Sequence, residues 1–272
     1  GMTEAISEVG GYSITLPEKD TGQDVRAYLV QTAEKGIAWG RLRAHGRAGH
    51  GSVPNDENAI VRLARAITAI DEHEFPIEFI ASVRALFDGI TEITGVGWDE
   101  DDIESFLPLT GGARQFVSGT LRDSANLTML SSGYKVNVIP QTAEAGIDCR
   151  FLPGHQEQLL ELLDELTGEH VEVIVDHLGV SVDSPREGPL VEAMTAAIQA
   201  EDPGSRVLPY CLSAGTDNKP LSALGITGYG FAPLQLPADL DFAPLFHGVD
   251  ERVPVDAVRF GARVLLRLVS DC

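Results

Sequence analysis

A histidine near the end of the chain is the first residue whose type and surroundings could support chemistry. His247 stands in the stretch Phe246–Pro254, beside Gly248 and close to Asp250 and Glu251. Imidazole is a common ligand of zinc, and glycine lets the backbone approach a ligand closely. Alone, the stretch is more typical of a solvated histidine in a polar loop, in which the two acids orient the loop or the helix that follows. A site therefore requires partners from elsewhere in the sequence.

A second candidate, His50, lies between two glycines in the segment Gly46–Ser52. The residues before it, Ile37–Ala44, alternate between apolar and polar positions, which predicts a half-buried strand. The residues after it have helical spacing from Ala59 onward, and Asn55 or Asp56 is a plausible N-cap. A strand, a glycine-flanked histidine and a helix would hold the side chain at an exposed helix start. Without further information, His50 is also typical of an exposed turn.

The composition narrows the class of protein. The chain has 272 residues, 43% of them apolar and 22% charged, which is typical of one large or two ordinary globular domains. Its net charge of −21 argues against binding to nucleic acid or to anionic lipid. The three cysteines, Cys149, Cys211 and Cys272, are too widely spaced for a zinc cluster and make a disulfide framework improbable. We therefore expect a cytoplasmic protein whose cysteines fill the core or end the chain.

The order of elements predicts an α/β protein with an α+β portion. From residue 37 to 176 the patterns read strand, helix, insertion, strand, strand, helix, strand, which is the ferredoxin-like split βαβ order. After a polar linker at 180–189, helices and strands alternate, as they do at the end of an α/β domain. Residues 1–36 contain strands that must pair elsewhere. The expected boundaries are therefore 1–36, 37–182 and 183–272.

An acidic stretch at 98–104 carries five carboxylates, Asp99, Glu100, Asp101, Asp102 and Glu104. Such a cluster could bind a cation. A solvated acidic loop or helix start is the interpretation that the sequence favours.

Five motifs occurring in order resemble the zinc-dependent aminoacylase, carboxypeptidase, acetylornithine deacetylase and succinyl-diaminopimelate desuccinylase family of metallopeptidases. They are GRAGHGS at 46–52, NVIP at 137–140, Arg150, SAGTD at 213–217 and FHGVDE at 246–251. The resemblance implies a ferredoxin-like lid that builds a homodimer, and the C-terminal part of a zinc-hydrolase catalytic domain. It implies hydrolysis of a peptide or N-acyl amino acid amide bond at two bridged zinc ions.

The same resemblance implies roles for single residues. His247 corresponds to a metal ligand, and His50 to a lid histidine that hydrogen-bonds the oxyanion in the partner subunit's site. Asn137 and Arg150 correspond to substrate-binding residues of the lid, and Arg150 would grip a carboxylate. The residues Gly215 and Thr216 correspond to a loop that lines the substrate pocket. These roles agree with general chemistry, because an imidazolium stabilises a developing oxyanion and a guanidinium fork fits a carboxylate.

The sequence also departs from that family. Its histidines are at 45, 50, 73, 155, 170, 177 and 247, and none is followed two residues later by an aspartate, so the family's HxD metal motif is absent. The family's paired-glutamate motif is absent too, and Ala214 stands where the family usually has glycine. The segment Ile6–Gly11 resembles the stretch just after the missing motifs. We therefore expect the latter part of a family member, inactive alone and with an incomplete zinc site.

Two other functions stay open at this point. The chain could be a non-catalytic module that uses the lid only for dimerisation or binding. It could also be a hydrolase with a triad of Ser213, His247 and an aspartate, although Ser213 lacks the GxSxG elbow of such enzymes.

Overall fold

The structure is a computed structural model that describes residues 1–271, without the side chain of Asp271, so the expectation for Cys272 lies outside the described residues. The strands are β1 Glu4–Ser7, β2 Tyr12–Pro17, β3 Asp24–Glu34, β4 Gly36–His45, β5 Gly49–His50, β6 Ser124–Ser132, β7 Val138–Ile139, β8 Thr142–Phe151, β9 Val171–Gly179, β10 Val182–Asp183, β11 Arg206–Leu212 and β12 Thr227–Gly230. The helices are α1 Ala59–Asp71, α2 Ala81–Thr94, α3 Ile103–Phe106, α4 Arg114–Ser118, α5 Gln156–Thr167, α6 Pro189–Glu201, α7 Asn218–Ala223 and α8 Val255–Asp271, with 3-10 turns at Leu107–Ala113 and Ala243–Leu245.

The chain forms two compact units, neither of which is continuous in sequence. The first unit contains residues 1–35, 78–121 and 182–272, and the second contains 36–77 and 122–181. The expected segmentation differs from this division at 78–121, which was expected in the lid and belongs to the first unit. The reason is physical: α2 carries six buried residues, and its Gly89 packs so closely on Leu208 of β11 that an added Cβ would lie 2.4 Å from it.

The second unit is a four-stranded antiparallel sheet with two helices on one face. The strands lie in the order β6-β8-β4-β9, and with α1 and α5 as connections this is the predicted ferredoxin-like topology. Alternate residues of β8 are buried, as the period-2 pattern requires. Leu42 and Ile147 from the sheet pack with Leu63 of α1 and Leu159 of α5 in one core. The opposite face of the sheet carries the polar residues.

Helix α1 begins at Ala59, as the spacing predicts, but its N-cap lies two or three residues after the suggested positions Asn55 and Asp56. Asn58 caps it, because its side-chain oxygen accepts a hydrogen bond of 2.9 Å from the backbone N–H of Ile60. The predicted cap Asn55 instead accepts from the N–H of Glu57 at 2.9 Å and donates to the carbonyl of Arg47 at 2.7 Å. Asn55 therefore closes the loop that contains His50, and Asn58, the next asparagine, caps the helix.

The first unit is built around β3, which pairs with β2, β10, β11 and β12, while β1 extends the sheet beyond β12. Residues 27–34 of β3 are all buried, as expected for a central strand. One face packs against α6 and α8, where the rings of Tyr28 and Phe260 stack with their centroids 5.5 Å apart. Both Glu34 and Lys35 lie at the buried end of this strand, where the chain passes into the second unit.

Three further expectations can be compared with the structure. Cys149 and Cys211 are buried, and burial raises the pKa of each thiol to about 12, so both are protonated core residues at neutral pH. The acidic stretch is a turn and the start of α3, in which Glu100 pairs with Arg84 at 2.6 Å. Within residues 1–271, no helix has the length and apolar character needed to span a membrane.

Candidate functional site

His50 and Asn137 are brought together in the second unit by a two-stranded ladder. His50 in β5 pairs with Val138 in β7, and the N–H of Gly51 donates to the carbonyl of Asn137 at 2.9 Å. Both His50 and Asn137 are exposed. The motifs GRAGHGS and NVIP, which are 85 or more residues apart in the sequence, therefore meet at one surface.

Ser52 makes two contacts with the Nδ1 atom of the His50 ring. The ring Nδ1 lies 2.8 Å from the Ser52 hydroxyl and accepts a hydrogen bond of 3.3 Å from the Ser52 N–H. An imidazole nitrogen that accepts from an N–H carries no proton, so the neutral ring bears its proton on Nε2. His50 thus offers Nε2–H as a hydrogen-bond donor, which suits an oxyanion or a carbonyl oxygen. The sequence did not predict Ser52 as a partner of His50. The available signal was its position two residues after the histidine.

Arg150 lies in β8 of the four-stranded sheet, on its polar face, and its side chain pairs with a residue of the same strand. Its Nε and Nη2 donate to the two carboxylate oxygens of Asp148 at 2.6 and 2.9 Å. Residues two apart on a strand point to the same face, which explains the pair. About a fifth of the Arg150 side chain is exposed, at 22%. The guanidinium is therefore held in a fixed orientation. A substrate carboxylate would have to bind it alongside Asp148 or replace Asp148 as its partner.

The loop of Gly215 and Thr216 belongs to the first unit and joins β11 to α7. Gly215 is exposed, whereas Thr216 is 9% exposed and turns inward. The Thr216 N–H donates to a carboxylate oxygen of Glu34 at 3.1 Å, and its hydroxyl donates to the other oxygen of the same carboxylate. The hydroxyl oxygen also accepts from the N–H of Asn218 at 3.1 Å, which starts α7. One side chain thus fixes the loop and begins the next helix.

His247 lies in a different loop of the first unit, exposed and with φ at 57°, a left-handed conformation that is uncommon outside glycine. Phe246 anchors this loop, because its ring packs against Phe116 and Phe242 with centroid separations of 5.1 Å in both cases. Asp250 pairs with Arg252 rather than with the histidine. An open cleft of about 610 Å³ runs between the 111–118 segment and the 238–244 loop, next to this stretch.

The described residues do not fit a metal centre. Among residues 1–271 there is no group of three or more histidine, cysteine, aspartate or glutamate side chains close enough to hold an ion. A catalytic zinc needs about three protein ligands, and His247 could supply one. The two-zinc centre implied by the sequence resemblance therefore cannot be assembled from these residues.

Sequence reasoning missed the buried group beneath the 213–217 loop. Glu34 is fully buried, Gln31 donates to it at 2.8 Å, and the ammonium of Lys219 lies 3.4 Å from its other oxygen. The available signal was the presence of Gln31 and Glu34 in the buried part of β3, followed directly by Lys35. A buried charge needs a partner, and the chain supplies that partner from 185 positions later.

The comparisons with known proteins agree with this architecture. A protein-family model described as a peptidase dimerisation domain matches residues 32–174, which is more than half of the chain. The chain is similar to the N-fatty-acyl-amino acid synthase/hydrolase PM20D1 of Bos taurus, with 26% identity over 258 residues that cover 89% of this chain and 50% of that protein. It is also similar to "Probable carboxypeptidase S-like 2" of Dictyostelium discoideum, with 26% identity over 259 residues, 90% of this chain and 48% of that protein. The chain thus spans half or slightly less of these curated relatives.

Two solved structures share the fold. The di-peptidase Dug1p from Saccharomyces cerevisiae superposes with a TM-score of 0.58 at 13% identity, covering 99% of this chain and 60% of that chain. The M20 family metallo-carboxypeptidase Sso-CP2 from Sulfolobus solfataricus gives a TM-score of 0.58 at 15% identity, with coverages of 96% and 61%.

Proposed function

The chain belongs to the M20 peptidase family, and from this premise we propose that it contributes to metal-dependent hydrolysis of a peptide or N-acyl amino acid amide bond. The observation that carries the proposal is the ladder that joins His50 to Asn137. It sets a ring N–H donor and a carboxamide side by side on one surface. Such groups suit an amide carbonyl whose oxygen gains negative charge during hydrolysis.

Within this proposal each site residue has a role of its own. His50 donates from Nε2 to the developing oxyanion, in the site of a partner subunit. Asn137 binds the substrate amide, and Arg150 binds the carboxylate of the amino acid part. Gly215 and Thr216 belong to the loop that lines the pocket in the first unit, and His247 is the metal ligand of this chain. Zinc is the proposed metal.

Binding of a small N-acyl amino acid tests the substrate class. We expect N-acetyl-L-phenylalanine to shift the NMR signals of Arg150 and Asn137, and N-acetyl-L-phenylalaninamide, which lacks the carboxylate, to bind at least about tenfold more weakly. Charge-assisted hydrogen bonds to arginine contribute about 1.5–3 kcal/mol, which corresponds to about tenfold or more. The variant Arg150→Gln should remove the preference for the acid. Equal binding of the acid and the amide would contradict the substrate proposal and favour a non-catalytic module.

Zinc binding tests the ligand assignment. Because the described residues supply no three-ligand cluster, we expect this chain to bind zinc weakly and to leave N-acetyl amino acids intact. Titration calorimetry and elemental analysis after dialysis measure the stoichiometry. Tight binding of one or more zinc ions per chain, together with amide hydrolysis, would overturn this part of the proposal.

We also propose that the second unit forms a homodimer through β6 and α1. Strand β6 is an edge of its sheet, and Met129 and Leu130 on it are 74% and 72% exposed. Ile60 and Val61 of α1 are exposed as well. Natural proteins rarely leave an apolar edge strand uncovered, because it is open to further strand pairing.

Changing Leu130→Asp should convert the dimer to a monomer, which light scattering coupled to gel filtration would detect. The matched control is Val258→Asp, which places the same charge on an exposed valine of α8 in the first unit. The control should stay dimeric. If Leu130→Asp leaves the mass unchanged, the dimer does not use β6.

A further inference from the structure

One fully buried carboxylate holds the 213–217 loop in place. Glu34 accepts hydrogen bonds from both the N–H and the hydroxyl of Thr216, and from the side-chain amide of Gln31. The Lys219 ammonium lies 3.4 Å from it and also donates to the carbonyl of Lys35. Thr216 and Lys219 lie at the end of the loop and in the first turn of α7. The loop and the helix after it are therefore tied to β3 through one side chain.

Glu34 and Lys219 form a buried ion pair in this network. Glu34 is 0% exposed and Lys219 8% exposed, so neither charge is solvated by bulk water. The carboxylate is compensated by three hydrogen bonds and one cation, which is the condition under which a buried ion pair is tolerated. Glutamine at position 34 would have one acceptor oxygen in place of two. It could therefore not accept from both the N–H and the hydroxyl of Thr216, which bind different oxygens of Glu34, while also facing the Lys219 ammonium.

The network also lies where the chain leaves and re-enters the first unit. Glu34 is followed by Lys35, the last residue of the unit's first segment, and Val182, the first residue of its last segment, pairs with Glu34 in the sheet. Lys35 donates to the carbonyl of Gly119 at 3.1 Å, which belongs to the middle segment. All three segments of the first unit thus meet at the base of the loop.

We propose that Glu34 and Lys219 are positioning residues: they fix the conformation of the 213–217 loop and, through Gly215 and Thr216, the affinity of the protein for the N-acyl amino acid. The second part of this statement rests on the proposed function. Neither residue touches the substrate. Their effect is transmitted by the two hydrogen bonds that Thr216 makes to the carboxylate.

The test compares Glu34→Gln and the charge-neutral double variant Glu34→Gln/Lys219→Met with the wild-type chain. Hydrogen–deuterium exchange of peptides covering residues 212–219 reports the loop without any ligand. We expect exchange in these peptides to become at least tenfold faster in both variants. NMR titration with N-acetyl-L-phenylalanine should show at least fivefold weaker binding. The double variant keeps the experiment decisive if the single variant does not fold, because it removes the Lys219 ammonium together with the carboxylate that it faces.

The matched control is Asp123→Asn in the second unit. Asp123 is also a buried carboxylate that accepts from a backbone N–H, that of Leu152 at 2.7 Å. Its loss should lower stability without changing exchange at 212–219 or the affinity for the probe. Folded Glu34 variants with wild-type exchange at 212–219 would overturn the positioning role. If the wild-type chain does not bind the probe, the proposed function and the affinity claim fail together, while the exchange measurement still decides whether Glu34 fixes the loop.

Discussion

Two residues other than glycine have a left-handed φ among residues 1–271, Val9 at 64° and His247 at 57°. Both lie in loops of the first unit. The cost is greatest at Val9, because a β-branched side chain crowds the backbone in this conformation. Gly10 and Gly11 follow with φ of 88° and 77°, so three successive residues share a conformation that only glycine adopts easily. Strain of this kind is kept where the surrounding structure fixes the loop.

Replacing Val9→Gly should stabilise the protein relative to Val9→Ala. Both variants lose the valine methyl groups, but only glycine removes the left-handed penalty of roughly 1–2 kcal/mol. Part of this gain is offset by the greater freedom of glycine in the unfolded chain, about 0.5–1 kcal/mol. Urea unfolding measures the difference. An alanine variant as stable as the glycine variant would mean that the backbone at position 9 is not strained.

At the residue scale, the sequence predicts which residues belong to a site better than it predicts which residues contact each other there. His50 and Asn137 were identified from their motifs, but the ladder that joins them consists of two-residue strands, too short to produce a periodicity. Glu34 was missed because its partners, Thr216 and Lys219, are more than 180 positions away. Pairings over such distances depend on the sheet topology, and no local pattern encodes them.

Among the elements, β3 is tied to the end of α6 by an ion pair. Arg26 donates from Nε and Nη2 to the two oxygens of Asp202 at 2.5 and 2.8 Å, and the Tyr28 hydroxyl donates to the same carboxylate at 2.8 Å. The hydrogen bond from Arg26 is the largest cause that lowers the pKa of Asp202 from its usual value. The folded state therefore favours the ionised form of this carboxyl.

The stability should depend on pH accordingly. A carboxyl whose pKa is lower in the folded state stabilises the fold above its unfolded pKa, about 3.9, and loses this contribution as the pH falls through the folded value. Asp202→Asn should lower the free energy of unfolding at pH 7 by about 1.5–3 kcal/mol, and the difference from wild type should shrink below about pH 4. Asp20→Asn, in an exposed turn, serves as the control. A deficit in Asp202→Asn that stays constant down to pH 3 would show that charge is not involved.

Most elements were predictable because one face of each is buried. The sequence pattern predicts strands at Thr142–Phe151 and Arg206–Leu212, and strands β8 and β11 have these bounds. Helix α2 was not predicted, because its buried residues cover a wide surface and the segment Phe75–Leu86 shows mixed periodicity. Its partner β11 lies more than 100 residues later. The assignment of 78–121 to the first unit therefore depends on packing that the segment's own sequence does not reveal.

For the whole molecule, the ends of the 78–121 segment lie side by side. The N–H of Glu78 donates to the carbonyl of Leu121 at 2.7 Å, so the chain returns to the point where it left. A short linker could therefore replace this segment. The second unit also has its own core, to which β4, β8, α1 and α5 all contribute.

We expect a chain of residues 36–77 joined by a glycine-rich linker to residues 122–181 to fold and to dimerise. Circular dichroism during heating should show a cooperative transition, and light scattering should give twice the chain mass. The matched control keeps residues 36–181 intact, which exposes the apolar residues of α2 and should cause aggregation. A linked chain that shows no cooperative transition would mean that the second unit cannot fold without the first.

The three-part composition of the first unit also has a consequence during synthesis on the ribosome. The second unit is complete once residue 181 has left the exit tunnel. In the first unit, β3 cannot pair and pack fully until β11 and α8 have been synthesised. At about 5–20 residues per second, translation of the last segment takes on the order of 5–20 s. During that interval β3 and α2 have no finished partner surface. Nascent chains stalled soon after residue 181 has left the tunnel should therefore bind chaperones through these segments, while the second unit is already folded.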